Sequence, residues 1–165
     1  ISLALLSLIT INQFCLAQYK EGAFPGKGSI EAWHRARKIL DEGSALKDSG
    51  KTDEALSKFK TAIATYPYDG VFWCCLGNCY MDKKEYKLAE DAYRRATVLH
   101  PDDWKHWCNL GGALFKNEKY TEYRAAIIKA LSLNPPSKEA SELKGSIDHI
   151  DKYLREQKST GSKTK

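Results

Sequence analysis

The stretch Gly70–Asp103 reads GVFWCCLGNCYMDKKEYKLAEDAYRRATVLHPDD, and its pattern decides how the rest of the chain is read. Trp73, Leu76, Gly77 and Tyr80 follow one another at intervals of three, one and three, then come Tyr86, Ala89, Tyr93, Ala96 and Pro101. Intervals of three and four put these residues on one face of each of two helices, with a turn between them. The pattern recurs 34 residues away in both directions: Pro67, Pro101 and Pro135 keep that period, as do Gly43, Gly77 and Gly111, and Ala62, Ala96 and Ala130. A fixed period of this length marks a stack of equal supersecondary units, none of which can bury its apolar face alone.

The residues Trp73, Leu76, Gly77, Tyr80, Ala89, Tyr93, Ala96 and Pro101 resemble the tetratricopeptide (TPR) repeat, W-x2-L-G-x2-Y followed by alanine, aromatic, alanine and proline. The resemblance covers about residues 36–156 and implies an all-α, right-handed TPR solenoid: two antiparallel helices, A and B, in each of the repeats 36–69, 70–103 and 104–137. Gly77 and Ala89 then leave room for close approach of the two helices. Pro101 cannot continue helix B and turns the chain into the next unit. The aromatic residues read as core.

In the first repeat, Ile39, Gly43, Leu46, Ala55, Phe59, Ala62 and Pro67 are on pattern, while Glu42 replaces a leucine and Thr52 an aromatic. A terminal repeat has one side in water, which tolerates a carboxylate. Gly50 suits the turn between helices, and Ser29 reads as the N-cap of the first helix, whose early turns carry Trp33. In the third repeat, Trp107, Leu110, Gly111, Leu114, Tyr120, Ile127, Ala130 and Pro135 fit. Tyr123 stands where a small residue is expected, and its phenol is expected to force helices A and B apart or to rotate helix B. After Pro135-Pro136, Ala140, Leu143, Ile147, Ile150 and Leu154 form an apolar stripe opposite Lys138, Glu142, Lys144, Asp148 and Lys152. This is an amphipathic capping helix over 138–156, with a disordered basic tail at 157–165.

The ends differ in composition from the middle. Residues 1–17, ISLALLSLITINQFCLA, contain no charged side chain and end in small residues before Gln18, as a cleaved export signal would. An uncleaved membrane anchor and an amphipathic docking helix are the alternatives, so export or membrane association is the expected localisation. The rival expectation is an intracellular assembly subunit docked through this segment. Residues 18–28 (QYKEGAFPGKG) read as a linker. The net charge of +5 is concentrated in residues 155–165, with four basic groups and one acid, so no basic body points to nucleic acid.

The resemblance implies a concave groove lined by helix A at the second, fifth, ninth and twelfth positions of each repeat. These are Arg37, Leu40, Ser44 and Lys47; Val71, Cys74, Asn78 and Met81; and Lys105, Cys108, Gly112 and Phe115. An apolar strip with cations beside it, Lys116 among them, suits a protein or peptide segment with apolar anchors and some acidic character. The TPR subclass that clamps chaperone C-termini needs lysine and asparagine, then asparagine, then lysine and arginine. This chain has Leu40, Ser44, Cys75, Lys105 and Asn109 there, and only Lys105 matches.

Other chemistry finds little support in the sequence. His34, His100, His106 and His149 are scattered and read as mostly solvent-facing, and no phosphate loop or nucleophile elbow occurs. Asp102 or Asp103 reads as an N-cap for the helix of Trp107 rather than as part of a catalytic group with His106. Cys75 and Cys79, four apart on one helix, leave metal or redox chemistry and disulfide pairing as alternatives to the simpler reading of packing. No enzyme activity, metal or cofactor is expected.

Overall fold

The computed structural model describes residues 27–161, with side chains described over 30–157. The apolar segment 1–17, most of the 18–28 linker and the last residues of the tail lie outside the described residues. Within them the chain forms seven helices: α1 (Lys27–Asp48), α2 (Thr52–Thr65), α3 (Gly70–Asp82), α4 (Tyr86–Leu99), α5 (Trp104–Lys116), α6 (Tyr120–Ser132) and α7 (Ser137–Gly161). Each packs on the next in sequence; α1 also packs on α3, and α3 on α5. The A helices α1, α3 and α5 therefore form one layer and the B helices α2, α4 and α6 the other.

Close A–B approach has a local cause. A Cβ on Gly77 would lie 2.6 Å from the Tyr93 ring, one on Gly43 2.7 Å from Phe59, and one on Gly111 2.8 Å from Ile127. The B-helix side chain at the same place in every repeat thus rests on bare glycine backbone. Tyr123 does not prevent the α5–α6 approach: the end of Ile127 still reaches Gly111, although with fewer close atoms than at Gly43 or Gly77, and the Tyr123 ring packs 5.3 Å from Phe115.

All three A–B turns close in the same way. Gly50, Lys84 and Glu118 stand at equivalent places with φ of 77°, 62° and 60°. Lys51, Glu85 and Lys119 donate their N–H groups back to the carbonyls of Leu46, Tyr80 and Leu114, each at 2.9 Å. This satisfies orphan carbonyls at the helix end and requires a left-handed residue, which costs roughly 1–2 kcal/mol when it is not glycine. At the B–A turns, Asp69 and Asp103 are the N-caps, accepting from the backbone N–H of Val71 and Lys105 at 2.9 Å. The indoles of Trp73 and Trp107 donate to the carbonyls of Pro67 and Pro101, also at 2.9 Å. Trp33 donates to Asp69 at 2.9 Å, tying the leading turns of α1 to the start of α3.

Both outer helices exceed the expected bounds. Helix α1 begins at Lys27, so Ser29 sits inside the first turn rather than at the N-cap. Helix α7 continues past residue 156 to Gly161, because the intervening residues include no glycine or proline and two good helix formers, Gln157 and Lys158. It docks on α6 through buried Ile150, the Arg124–Asp151 ion pair and the Tyr120–Tyr153 ring contact at 5.0 Å. Glu42 is exposed, as a terminal repeat allows, and pairs with Lys58 at 2.6 Å.

Candidate partner-binding groove

The A-helix layer brings most of the expected groove residues to half-exposed positions. Val71, Cys74, Asn78 and Met81 on α3 are partly buried, as is Cys108 on α5, while Lys105 and Phe115 are exposed. Phe115 keeps 41% of its surface in water, unusual for a ring of its size in a packed repeat. Leu40 is the exception: at 3% exposure it belongs to the core, where α1 meets both α2 and α3, and it cannot serve as a contact surface.

Several of the polar residues are already engaged. Arg37 is bonded to Asp41 at 3.2 Å, and Lys47 pairs with Asp82 of α3 at 3.0 Å. The Asp82 bond outweighs the partial burial of Lys47 and raises its pKa above the usual lysine value. The hydroxyl of Ser44 donates to the Leu40 carbonyl at 3.0 Å. Asn78 accepts from the buried Tyr93 hydroxyl at 2.6 Å, so its oxygen is committed to the A–B contact. Lys105 instead lies over the Trp104 ring at 5.9 Å, with its ammonium open to water. The positive character of the groove is therefore weaker than its residue list implies.

The four cysteines among the described residues are held as thiols. Burial pushes Cys75, Cys79 and Cys108 up to about 11. Cys74 is also raised by burial, although the Asn109 amide donates to its Sγ at 2.9 Å across the α3–α5 seam. Metal binding and thiol redox chemistry both run through the thiolate, which these surroundings disfavour. All four are free, and among the described residues no three metal-capable side chains cluster. His106 is not solvent-facing: it occupies the place held in the previous repeat by the fully buried Phe72 and is itself 3% exposed. It stacks on His100 at 5.6 Å, and burial lowers its pKa, keeping the ring neutral.

A polar cluster on the B-helix side was not legible in the sequence. Glu90 is 3% exposed, yet accepts from Arg94 and Lys119 at 2.8 Å and from Asn117 at 2.8 Å. Arg94 also bonds Glu122 of α6. Burial pushes the Glu90 carboxyl up, but the bonds from Lys119, Arg94 and Asn117 together hold it below the usual glutamate value. The first and third repeats carry Leu56 and Arg124 at this place, so the cluster belongs to the junction of repeats two and three alone.

Models of the tetratricopeptide repeat match residues 71–103 and 106–137. No curated protein matches the chain. Among solved structures, the first TPR of Spaghetti (RPAP3) bound to the HSP90 peptide SRMEEVD is 24% identical, over 74% of this chain and 94% of its own, with a TM-score of 0.68. The first TPR domain of human RPAP3 is 24% identical, over 77% and 98%, with a TM-score of 0.68. The Yersinia enterocolitica type III secretion chaperone SycD, in complex with a peptide of the translocator YopD, is 20% identical, over 74% and 93%, with a TM-score of 0.64. With the 34-residue period, the glycine-seated A–B contacts and the seven-helix stack, these matches make the chain a tetratricopeptide-repeat protein of three repeats and a capping helix.

Proposed function

We propose that the chain is a non-enzymatic interaction module that holds a segment of a partner protein along its A-helix groove. The observation that carries this reading is the half-exposed apolar strip of Val71, Cys74, Met81, Cys108 and Phe115, running across two adjacent A helices. The RPAP3 and SycD domains of like fold, captured with peptides, support it by analogy. With Arg37 and Lys47 paired to Asp41 and Asp82, the groove favours apolar anchors with modest acidity near Lys105 over a free C-terminal carboxylate.

The test is capture of partners from native extract. Met81→Glu with Cys108→Glu should abolish capture at unchanged helicity, and Lys105→Glu should weaken it in a salt-dependent way. Lys129→Ala, exposed on α6, is the control. Capture lost in the control and kept in the groove variants would move binding to the outer face.

Residues 1–17 add export or membrane tethering to this reading, and intact mass from the native host tests it through a start at Gln18. The alternative, an intracellular assembly subunit docked through that segment, draws on the free thiols of Cys74, Cys75, Cys79 and Cys108. Retention of residues 1–17 would favour an anchor or a docked helix.

A further inference from the structure

The direct packing of one A helix on the next, present between α1 and α3 and between α3 and α5, stops at the last junction: α7 packs on α6 and not on α5. An open cleft of about 420 Å³ lies there instead, within the size range of ligand pockets. Its floor is Phe115, Tyr123 and Ile150, and its far wall is the face of α7 that carries Glu142, Gly145 and His149. Phe115 is also the last of the candidate groove residues on α5, so the cleft adjoins the groove at that ring.

Three features set the cleft apart from the corresponding places of the other repeats. Tyr123 occupies the place of the fully buried Ala55 and Ala89, adding a ring where the other repeats have a methyl group. Phe115 meets the rings of Tyr120 and Tyr123 edge-on, at 66° and 65°, and still keeps 41% of its surface exposed. Gly145 sits in the interior of α7, where glycine weakens a helix, and a Cβ there would meet nothing within 4 Å. Gly43, Gly77 and Gly111 each seat a neighbouring side chain; Gly145 seats none and leaves the wall open. On the same wall Glu142 is exposed, and its carboxylate has no hydrogen-bond or ion-pair partner among the described residues.

Resting on the groove reading, we infer that this cleft is the anchor pocket for an aromatic side chain carrying a hydrogen-bond donor, a tryptophan or tyrosine of the partner segment. The ring packs edge-to-face on Phe115 and Tyr123, and its N–H or O–H reaches the acceptor-only carboxylate of Glu142. A leucine would leave the carboxylate unused. An arginine would also meet the carboxylate, and titration with the arginine amide separates it from the aromatic anchor.

The test is NMR titration of the full chain with the N-acetyl amides of tryptophan, phenylalanine, leucine and arginine. The tryptophan amide should shift the resonances of Phe115, Gly145 and Ser146 saturably and bind about fivefold more tightly than the leucine amide. Gly145→Leu, whose Cβ meets nothing within 4 Å and whose side chain suits a helix, should fill the cleft and weaken tryptophan amide binding at least about tenfold. Glu142→Ala should remove the preference for tryptophan over phenylalanine. Equal binding in Gly145→Leu and wild type, scattered shifts, or preference for the leucine or arginine amide would overturn the pocket. Capture by the Met81→Glu, Cys108→Glu variant is read separately. If it is lost while no amide binds, the pocket alone fails; if amides bind while capture is indifferent to the groove, the groove reading alone fails.

Discussion

Gly77→Ala isolates the contact on which the repeat is built. The new methyl would lie 2.6, 2.8 and 2.9 Å from three carbons of the Tyr93 ring, all well inside van der Waals contact. The ring has little freedom to withdraw, since it is buried and its hydroxyl is fastened to Asn78 at 2.6 Å. Overpacking of this kind costs about 1–3 kcal/mol, and a hydrogen bond broken by the retreating ring costs about 1 kcal/mol more. Against this, alanine is favoured over glycine in a helix by about 1 kcal/mol. The balance is a loss of about 2 kcal/mol. In a domain of this size each kcal/mol moves Tm by roughly 3–5 °C. The neighbouring glycines of α5 sharpen the comparison. At Gly111 the obstacle is mainly the free end of Ile127, so alanine should be nearly neutral; at Gly112 nothing lies within 4 Å, and alanine should stabilise by up to about 1 kcal/mol. Urea unfolding followed by far-ultraviolet circular dichroism reads all three. A Gly77→Ala protein as stable as wild type, or a Gly112→Ala protein less stable than it, would refute the argument that glycine serves A–B contact at one place and not at the other.

The Glu90 cluster makes stability depend on acid. The folded carboxyl has a lowered pKa, so its contribution is complete above the unfolded value near 4.5 and is lost as pH falls through the lower folded value. Glu90→Gln should therefore cost about 2 kcal/mol near neutral pH and flatten the acid limb of the stability curve, measured by urea melts from pH 7 to pH 3. Arg94→Ala should also destabilise, through its bonds to Glu90 and Glu122, and is for that reason no silent control for binding. Ile150→Asp places a charge in the seat of the capping helix and should unseat α7, seen as lost helicity and aggregation; a soluble, fully helical variant would show that α7 is not a lid. Alkylation of Cys75 should lag behind a free thiol of pKa 9 by about a hundredfold in available thiolate at neutral pH; matching rates would contradict the burial argument.

The repeat was legible in the sequence because each unit reuses the same short-range contacts. Gly43, Gly77 and Gly111 mark where a B-helix side chain rests, the three prolines mark where helix B ends, and the stripe through Ile147, Ile150 and Leu154 marks the cap. These signals lie within one or two turns of chain, so periodicity alone exposes them. Some features escaped because the pattern of one repeat does not encode them. The turns at Lys84 and Glu118 take the left-handed conformation of Gly50 without its residue type, since the closing hydrogen bonds of the turn outweigh the steric cost. Leu40 reads as groove and is core, because the approach of α3 to α1 removes it from water.

The polar contacts depend on how adjacent repeats rotate against one another. Glu90 meets Asn117 and Lys119 across 27 and 29 residues, and Asn109 meets Cys74 across 35. Arg37, Lys47 and Asn78 look available in the sequence; Asp41 along α1, Asp82 across the α1–α3 junction and Tyr93 across the A–B contact take up part of their polar capacity. The cleft beside Phe115 is decided at the same level. It exists because α7 follows α6 and leaves α5, a direction of packing that an amphipathic stripe does not specify: the stripe determines which face is buried, and only the helices already stacked determine against what.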